Sequence, residues 1–477
     1  MLLETFKQAG LSIQTYLIGS EGVAAVIDPT RNIAPILECL EKRDLQLAYI
    51  FETHIHADFL SGARQLAQAT QARIIVSGVG LNDAPIVYGY ENAHTARGNA
   101  TYDVGQTTLV AIHTPGHTPE HMSYLLFDKI HPEAPLILFS GDFLFVNSFG
   151  RPDLMGVGLR AKLAEALYAT IYSERLKKMP DGLMILPTHG AGSACGKEIA
   201  DIPFTTMGRE RQFNPIFNFE GRLDDFTKYV LSNQPPIPTY FSELKKRNLQ
   251  GAALMAANNI SEIPLLSLTD FSSAIWPSQA SKSIAAGVQV VDIRQPPAFA
   301  AGHIPGSYSV WYSNNLATWA GYVLNYQDPI YLVGDNQTEL ENAALQLRLI
   351  GLDHIKGCLQ GGFNSWQAAK LPVASLKTVD VHMLKAALSQ KDSQGLVVLD
   401  VRSPVEYSSA HISGAVPLEL SQLSAHMAEL DQSKEYAVIC GGGFRASLAA
   451  SLLLKNGFPR VQNVAGGMRA WLEAFPR

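Results

Sequence analysis

The sequence is poor in cysteine, in net charge and in long apolar runs. Four cysteines, Cys39, Cys195, Cys358 and Cys440, are spread over 477 residues. That is too few and too scattered for a disulfide framework, so a reducing, cytoplasmic setting is expected. Net charge is −6, from 37 basic and 43 acidic residues. Such a balance leaves no footprint for nucleic acid or for an anionic membrane surface. No apolar stretch approaches the ~20 residues that span a bilayer. The opening MLLETFKQAG lacks the basic and then apolar regions of a secretory signal. What is present, 47% hydrophobic and 17% charged residues, is an ordinary globular composition. At roughly 100–200 residues per domain, the length predicts two to four domains.

Residues 1–210 alternate strand-like and helix-like segments, which predicts a layered α/β domain. IQTYLI and VAAVID flank GSEG, a hairpin signal. LAYIFETH reads as a buried strand that leads directly into THIHADFLSG, and PLILFSGD and GLMILPTHG likewise end on residues with metal chemistry. GLRAKLAEALYATIYSERLKKM predicts one long amphipathic helix. Residues 211–265 predict two short helices around a proline break and are read as a connecting arm rather than a core. The remainder contains an internal repeat. VVDIRQPPAFAAGHIPGSYSV from Val290 returns as VLDVRSPVEYSSAHISGAVPL from Val398. YLVGDNQTELENAALQLRLIG from Tyr331 returns as YAVICGGGFRASLAASLLLKNG from Tyr436. The domains expected are therefore 1–210, an arm at 211–265, and two repeats at 266–375 and 376–477.

Two constellations carry chemistry. His54, His56 and Asp58 follow one strand. His113, His117 and His121 lie in HTPGHTPEH, Asp142 follows another strand, and His189 sits in PTHG. Imidazoles and carboxylates converging from separate strand ends suit a divalent metal. Any one of these histidines has a plain alternative as a hydrogen-bonded loop residue, and that reading is preferred for His94, His113, His121 and His131. It is least adequate for His54, His117 and Asp142 taken together. The second constellation is ICGGGFRAS. Cys440 ends a strand, Gly441, Gly442, Gly443 and Phe444 follow, and Arg445 opens a helix. Backbone N–H groups of such a loop can stabilise a thiolate and a terminal persulfide. In the first repeat Asp335 stands for Cys440 and Leu340 for Arg445, so that copy is expected to be catalytically silent. Cys358 is expected to be core.

With these residues in view, THIHADFLSG, TPGHT, SGDFLF and GRPDL resemble the persulfide dioxygenase branch of the metallo-β-lactamase superfamily. LDVRSPVEYSSAHISGA, the Cys440 loop and AGGMRAW resemble a rhodanese. Together they resemble the persulfide dioxygenase–rhodanese fusion family. That resemblance implies an α/β multidomain fold: an N-terminal αββα sandwich followed by two α/β rhodanese-like domains with parallel sheets. It implies one Fe(II) per chain on His54, His117 and Asp142, with His56, Asp58 and His189 as supporting groups. It also implies Cys440 and Arg445 as the catalytic pair for sulfane sulfur. Phe59 bears on the metal count: it stands where a second-site histidine is usual, and a benzyl group cannot ligate. The implied reactants are a small-molecule thiol persulfide, O2, sulfite and thiosulfate. No nucleic acid or membrane is implied, and a homo-oligomer remains open. Arg151 is read either as a substrate anchor or as a loop ion pair with Asp153. Cys195 is read either as a substrate-contacting thiol or as a buried loop residue. Arg209 and Arg211 are weaker candidates for the pocket. The rival reading is a binuclear zinc thioester hydrolase of the glyoxalase II type, fused to a rhodanese docking or sulfide-sensing module.

Overall fold

The computed structural model describes residues 1–8, 10–256, 260–276, 284–390 and 395–476. The chain divides into two compact units, Met1–Ile260 and Ser261–Arg477. No helix among the described residues is long and apolar enough to cross a membrane.

In the first unit two six-stranded sheets face each other. One runs, in spatial order, Leu2–Gln8, Ile13–Ser20, Val23–Ile27, Gln46–Phe51, Arg73–Ser77 and Ala93–Ala96. The other runs Thr205–Thr206, Met184–Pro187, Pro135–Gly141, Met122–Asp128, Thr107–His113 and Thr101–Val104. Side chains alternate across a strand. Accordingly Tyr16, Ile18, Ala25 and Ile27 point inward against Leu109, Tyr124 and Phe139 of the opposing sheet. Leu17, Ala24 and Val26 point outward, where Ile36, Leu40 and Leu66 from two helices cover them. Strands buried on both faces are why these segments read as continuous apolar runs. The hairpin expected at GSEG is present, with Glu21 and Gly22 both at positive φ, 48° and 77°. This is the αββα sandwich expected from the sequence.

Two expectations need correction. The long helix is broken into Val157–Ile171 and Glu174–Lys177, because Ser173 leaves helical geometry and its side chain accepts from Leu176 N. Capping by serine competes with helix continuation. The segment at 211–265 does form helices at Leu223–Leu231 and Phe241–Gln250, but it is not a mere arm. Phe226 and Val230 are fully buried beside Leu167 and Ile216. Asn248 Nδ2 donates to the carbonyls of His56 (2.8 Å) and Phe59 (2.7 Å). An amphipathic helix must bury its apolar stripe, and Leu223–Leu231 buries it against Leu167 and Tyr168 of the helix Val157–Ile171. The first unit therefore extends to Ile260.

The second unit holds two five-stranded parallel sheets of identical connectivity. Their spatial orders are Leu265–Leu266, Ile355–Leu359, Ile330–Val333, Gln289–Asp292, Tyr308–Ser309, and then Lys377–Val379, Val461–Val464, Glu435–Ile439, Leu396–Asp400, Val416–Pro417. The duplication extends to side chains. Arg294 forks onto Asp292 and the Gly302 carbonyl, and Arg402 forks onto Asp400 and the Ala410 carbonyl. His303 stacks on Phe299 and His411 on Tyr407, at ring distances of 3.8 and 4.1 Å. Cys358 is fully buried, as expected.

The burial of Phe226 gives a direct test. Phe226→Ala should cost the first unit about 3–5 kcal/mol, the usual loss for a buried phenyl ring, read by equilibrium urea unfolding. A peripheral arm would give a change within about 0.5 kcal/mol, the usual scale at the surface.

Candidate metal centre and sulfur-transfer loop

The metal candidates converge where strands of the two sheets end side by side. Strand Gln46–Phe51 delivers His54, Pro135–Gly141 delivers Asp142, and the loop after Thr107–His113 delivers His117. Cross-sheet bonds fix this edge: Met122 N to the Thr53 carbonyl (2.7 Å) and the Tyr124 hydroxyl to the Glu52 carbonyl (3.0 Å). Gly141 of the S-G-D step sits at φ 57°, and a Cβ there would lie 2.6 Å from His121 Nε2. Glycine is required by both backbone and space.

His54, His117 and Asp142 are buried, and their ligand atoms lie within 4.8 Å of one another. Asp142 Oδ2 is 3.8 Å from His54 Nε2 and 3.4 Å from His117 Nε2. The surrounding bonds set the tautomers. His117 Nδ1 faces the Arg151 carbonyl at 3.0 Å, an acceptor only, so Nδ1 carries the proton. His54 Nδ1 faces Thr53 Oγ1 at 2.9 Å, and that hydroxyl gives its hydrogen to Asp28 Oδ2 at 2.8 Å. Both Nε2 lone pairs are thereby turned towards Asp142 Oδ2. His54 Nε2 and Asp142 Oδ2 are buried with no hydrogen-bond partner. Burial keeps both imidazoles neutral, pushing His54 well below its ordinary range and lowering His117. Neutral imidazoles and an ionised, unpaired carboxylate oxygen fit a divalent cation.

The neighbouring groups divide differently from one another. His56 turns its Nε2 to Asp28 (3.1 Å) and Glu52 (3.2 Å). Against the pull of burial, those carboxylates hold it well above the usual imidazole range. Asp28 also accepts from Thr53 N (2.7 Å) and Thr188 Oγ1 (2.5 Å), so His56 supports His54 through Asp28 and Thr53. Phe59 is fully buried and lies against the His56 ring at 4.3 Å. His189 bridges Asp142 Oδ1 and Asp58 Oδ2, both at 2.7 Å. Against burial, the two carboxylates push it up to about 10. His121 is a hydrogen-bonded loop residue, as expected: Nδ1 faces Thr114 Oγ1, and Nε2 accepts from Asp142 N at 2.9 Å.

Two sequence readings change here. Arg151 is fully buried and spends its guanidinium on Asp153 (2.7 and 2.8 Å) and the Ala194 carbonyl (3.2 Å). It makes the loop ion pair with Asp153, and its carbonyl orients His117. Cys195 is buried, and its Sγ falls within 4.8 Å of ligand atoms of Asp58 and His189. Burial, reinforced by the charges of Asp58 and Asp142, pushes its thiol well up. A donor set therefore survives beside Phe59, with sulfur in place of the missing imidazole, and the benzyl group alone does not close the second position. Sequence reasoning also missed Asp28, Glu52 and Asn248. Asp28 had a signal, an acid directly after the VAAVI strand, whereas Asn248 had none. Arg209 and Arg211 do not reach the centre: Arg211 binds Asp181 and the carbonyls of Leu176, Lys177 and Met179, and Arg209 packs over Phe213.

In the second unit Cys440 ends the strand Glu435–Ile439, and Phe444–Lys455 forms the helix that follows. Gly443 N donates to Cys440 Sγ at 3.1 Å. The AGG turn holds the loop from beneath: Met468 N donates to the Cys440 carbonyl and Arg469 N to that of Gly441. A Cβ on Gly467, at φ 57°, would stand 2.2 Å from the Cys440 carbonyl, which accounts for the glycine in AGGMRAW. Arg445 forks onto Glu406 at 2.7 and 2.8 Å. Against burial, that contact holds the Glu406 carboxyl down to about 2. Asp335 and Leu340 occupy the corresponding positions of the first repeat, which lacks a nucleophile there. This repeat nonetheless reaches the loop: the Trp311 ring stacks on Phe444 at 4.3 Å. Ser309 also bonds Ser447 and Ser451. A cleft of about 520 Å³ separates Pro296, Pro297 and Ala300 from Gly442 and Gly443.

Fold and site define a metal-binding αββα domain joined to a duplicated α/β unit with one cysteine loop. Residues 9–189 match the metallo-beta-lactamase superfamily, and residues 277–369 and 380–474 match the rhodanese-like domain. A crystal structure of a metallo-beta-lactamase from Staphylococcus aureus subsp. aureus COL is 34% identical, with a TM-score of 0.64, over 75% of this chain and 98% of that one. The chain belongs to the metallo-β-lactamase superfamily and carries two rhodanese-like domains, a combination that indicates an enzyme. Among curated proteins, a hydroxyacylglutathione hydrolase from Tolumonas auensis is 30% identical over 36% of this chain and 60% of its own length. A putative sulfur carrier protein, YrkF of Bacillus subtilis, is 36% identical over 23% of this chain and 56% of its own. The chain thus spans under two thirds of either relative.

Elemental analysis of purified variants tests the ligand set. Asp142→Ala and His117→Ala should each lower bound metal to about a tenth or less, the scale set by loss of a primary ligand. Cys195→Ala should retain the metal held by His54, His117 and Asp142.

Proposed function

We propose that the N-terminal domain oxidises a low-molecular-weight thiol persulfide with O2 at a single Fe(II), and that Cys440 carries sulfane sulfur. The balance is RSS⁻ + O2 + H2O giving RSH, SO3²⁻ and H⁺. Sulfite then takes the terminal sulfur from the Cys440 persulfide, giving thiosulfate and the free thiolate; the reverse reaction would load Cys440 from thiosulfate. The observation that carries this reading is the convergence of the His54 and His117 Nε2 atoms on Asp142 Oδ2, with His54 Nε2 and Asp142 Oδ2 both buried and unpartnered, in a chain that also bears a cysteine loop for sulfur. His54, His117 and Asp142 would hold the metal, and iron in such a facial set supplies open positions for O2 and an anionic substrate. The protein's own contributions are definite. Thr53 and the Arg151 carbonyl fix the imidazole tautomers, His189 aims Asp142, and burial excludes water from the donors. At the second site Gly443 N steadies sulfur on Cys440, while Arg445 adds positive charge to the loop.

A second reading has its own support. The Asp58, His189 and Cys195 group offers a second set of donors, and hydroxyacylglutathione hydrolases are among the relatives. It predicts two zinc ions and thioester hydrolysis.

Anaerobic purification with metal quantitation, followed by O2 uptake with and without glutathione persulfide, separates the two. One iron per chain and persulfide-dependent uptake are expected; two zinc ions and no uptake would sink the dioxygenase. Cys440→Ser should abolish cyanolysable sulfur and thiosulfate formation while leaving O2 uptake in place. Loss of uptake in that variant would refute the division of labour.

A further inference from the structure

The helix Phe241–Gln250 brings a cation to the metal centre that no motif announced. Asn248 fixes one face of this helix against the metal loop, through the carbonyls of His56 and Phe59 and the N–H of Ser61. Residues three apart share a helix face, so Lys245 projects from that same face. Its Nζ meets the Met155 thioether, in the loop whose Arg151 carbonyl orients His117. The side chain is partly buried, and no carboxylate among the described residues pairs with it. Its helix neighbours are ordinary by comparison: Arg247 pairs with Glu243 at 2.9 Å, and Lys246 is exposed. Glu120 is the acid that most favours the Lys245 charge, but its Oε1 accepts from Ile55 N, and burial still lowers the ammonium. A thioether is a weak acceptor. A partly buried ammonium facing one is poorly compensated until an anion arrives.

We propose that Lys245 is an anion-binding residue beside the His54–His117–Asp142 centre, and that its ligand is a small sulfur anion. This rests on the dioxygenase reading for the identity of that anion: persulfide sulfur on entry and sulfite on exit. The arrangement places positive charge at the loop that holds Arg151 and Met155 rather than among the ligands. Attraction of the substrate is thereby separated from coordination of the metal.

The test uses the full chain, metal-loaded and anaerobic, with Cys440→Ser as background so that sulfite meets no sulfane sulfur. Sulfite is titrated calorimetrically into this parent and into Lys245→Met, Lys245→Gln and Lys245→Arg, with metal content and melting temperature recorded for each. The dissociation constant should rise about tenfold or more in the two neutral variants, as for loss of one partner of a desolvated charge pair. It should stay within about threefold in Lys245→Arg, where the charge is kept. Unchanged sulfite binding in a neutral variant that retains metal overturns the proposal, as does absence of binding in the parent. The dioxygenase reading fails separately. If sulfite binding depends on Lys245 but persulfide drives no O2 uptake, the anion site stands and the oxidation does not.

Discussion

The metal domain depends on how one carboxylate is divided. Asp142 gives Oδ1 to His189 and leaves Oδ2 unpaired between two imidazoles. A buried carboxylate oxygen with no donor is costly, and a cation is the compensation its surroundings allow. Much else in the domain serves to place that atom. Gly141 takes a left-handed turn so that Asp142 leaves its strand at the right point, and Gly150 passes so close to the Asp142 carbonyl that a Cβ would collide with it. Asp28 organises Thr53 and Thr188 from two different strand ends, which ties His54 to the same spot. The sandwich is the means by which loops far apart in sequence arrive at one edge.

The duplicated unit separates scaffold from chemistry in a single chain. Both copies keep the forked Asp–Arg brace and the stacked histidine. Both also keep the glycine that lets the last helix begin beneath the loop: Gly362 would place a Cβ 2.5 Å from the Gly334 carbonyl, as Gly467 would at Cys440. These contacts hold the fold, and they survive where Asp335 has replaced the nucleophile. The copy that carries Asp335 is not idle packing, because Trp311 stacks on Phe444 and the helix Pro296–Ala301 forms one wall of the cleft beside Gly442 and Gly443. A repeat with no cysteine in its loop still shapes the approach to the loop that has Cys440.

The legible parts of this chain are those whose signal is local. H-x-H, T-P-G-H and S-G-D each follow an apolar strand, and CGGGFR combines a nucleophile, a flexible loop and a helix start within a few residues. That the two repeats share one parallel-sheet fold followed from their sequence duplication. What was not legible depends on tertiary approach. Cys195 meets Asp58 and His189 only because two loops fold onto the same edge, and Asn248 reaches the His56 carbonyl from a helix that reads as peripheral. The helix break at Ser173 lies between these cases: serine followed by a fresh helical turn is a local signal, hidden within a longer amphipathic pattern.

Phe59 alone does not decide the metal count; its effect works through His56. The phenyl ring packs on one face of that imidazole while Asp28 and Glu52 engage its Nε2. His56 thus groups with Asp28 and Glu52 rather than with Asp142, Phe59 offers no ligand atom, and of this loop's histidines His54 alone joins His117 and Asp142. Two imidazoles and a carboxylate leave several coordination positions free, more than a closed structural site would. Lys245 stands against Met155 and Cys195 against Asp58 and His189, so both lie outside the His54–His117–Asp142 set and leave its open positions untouched.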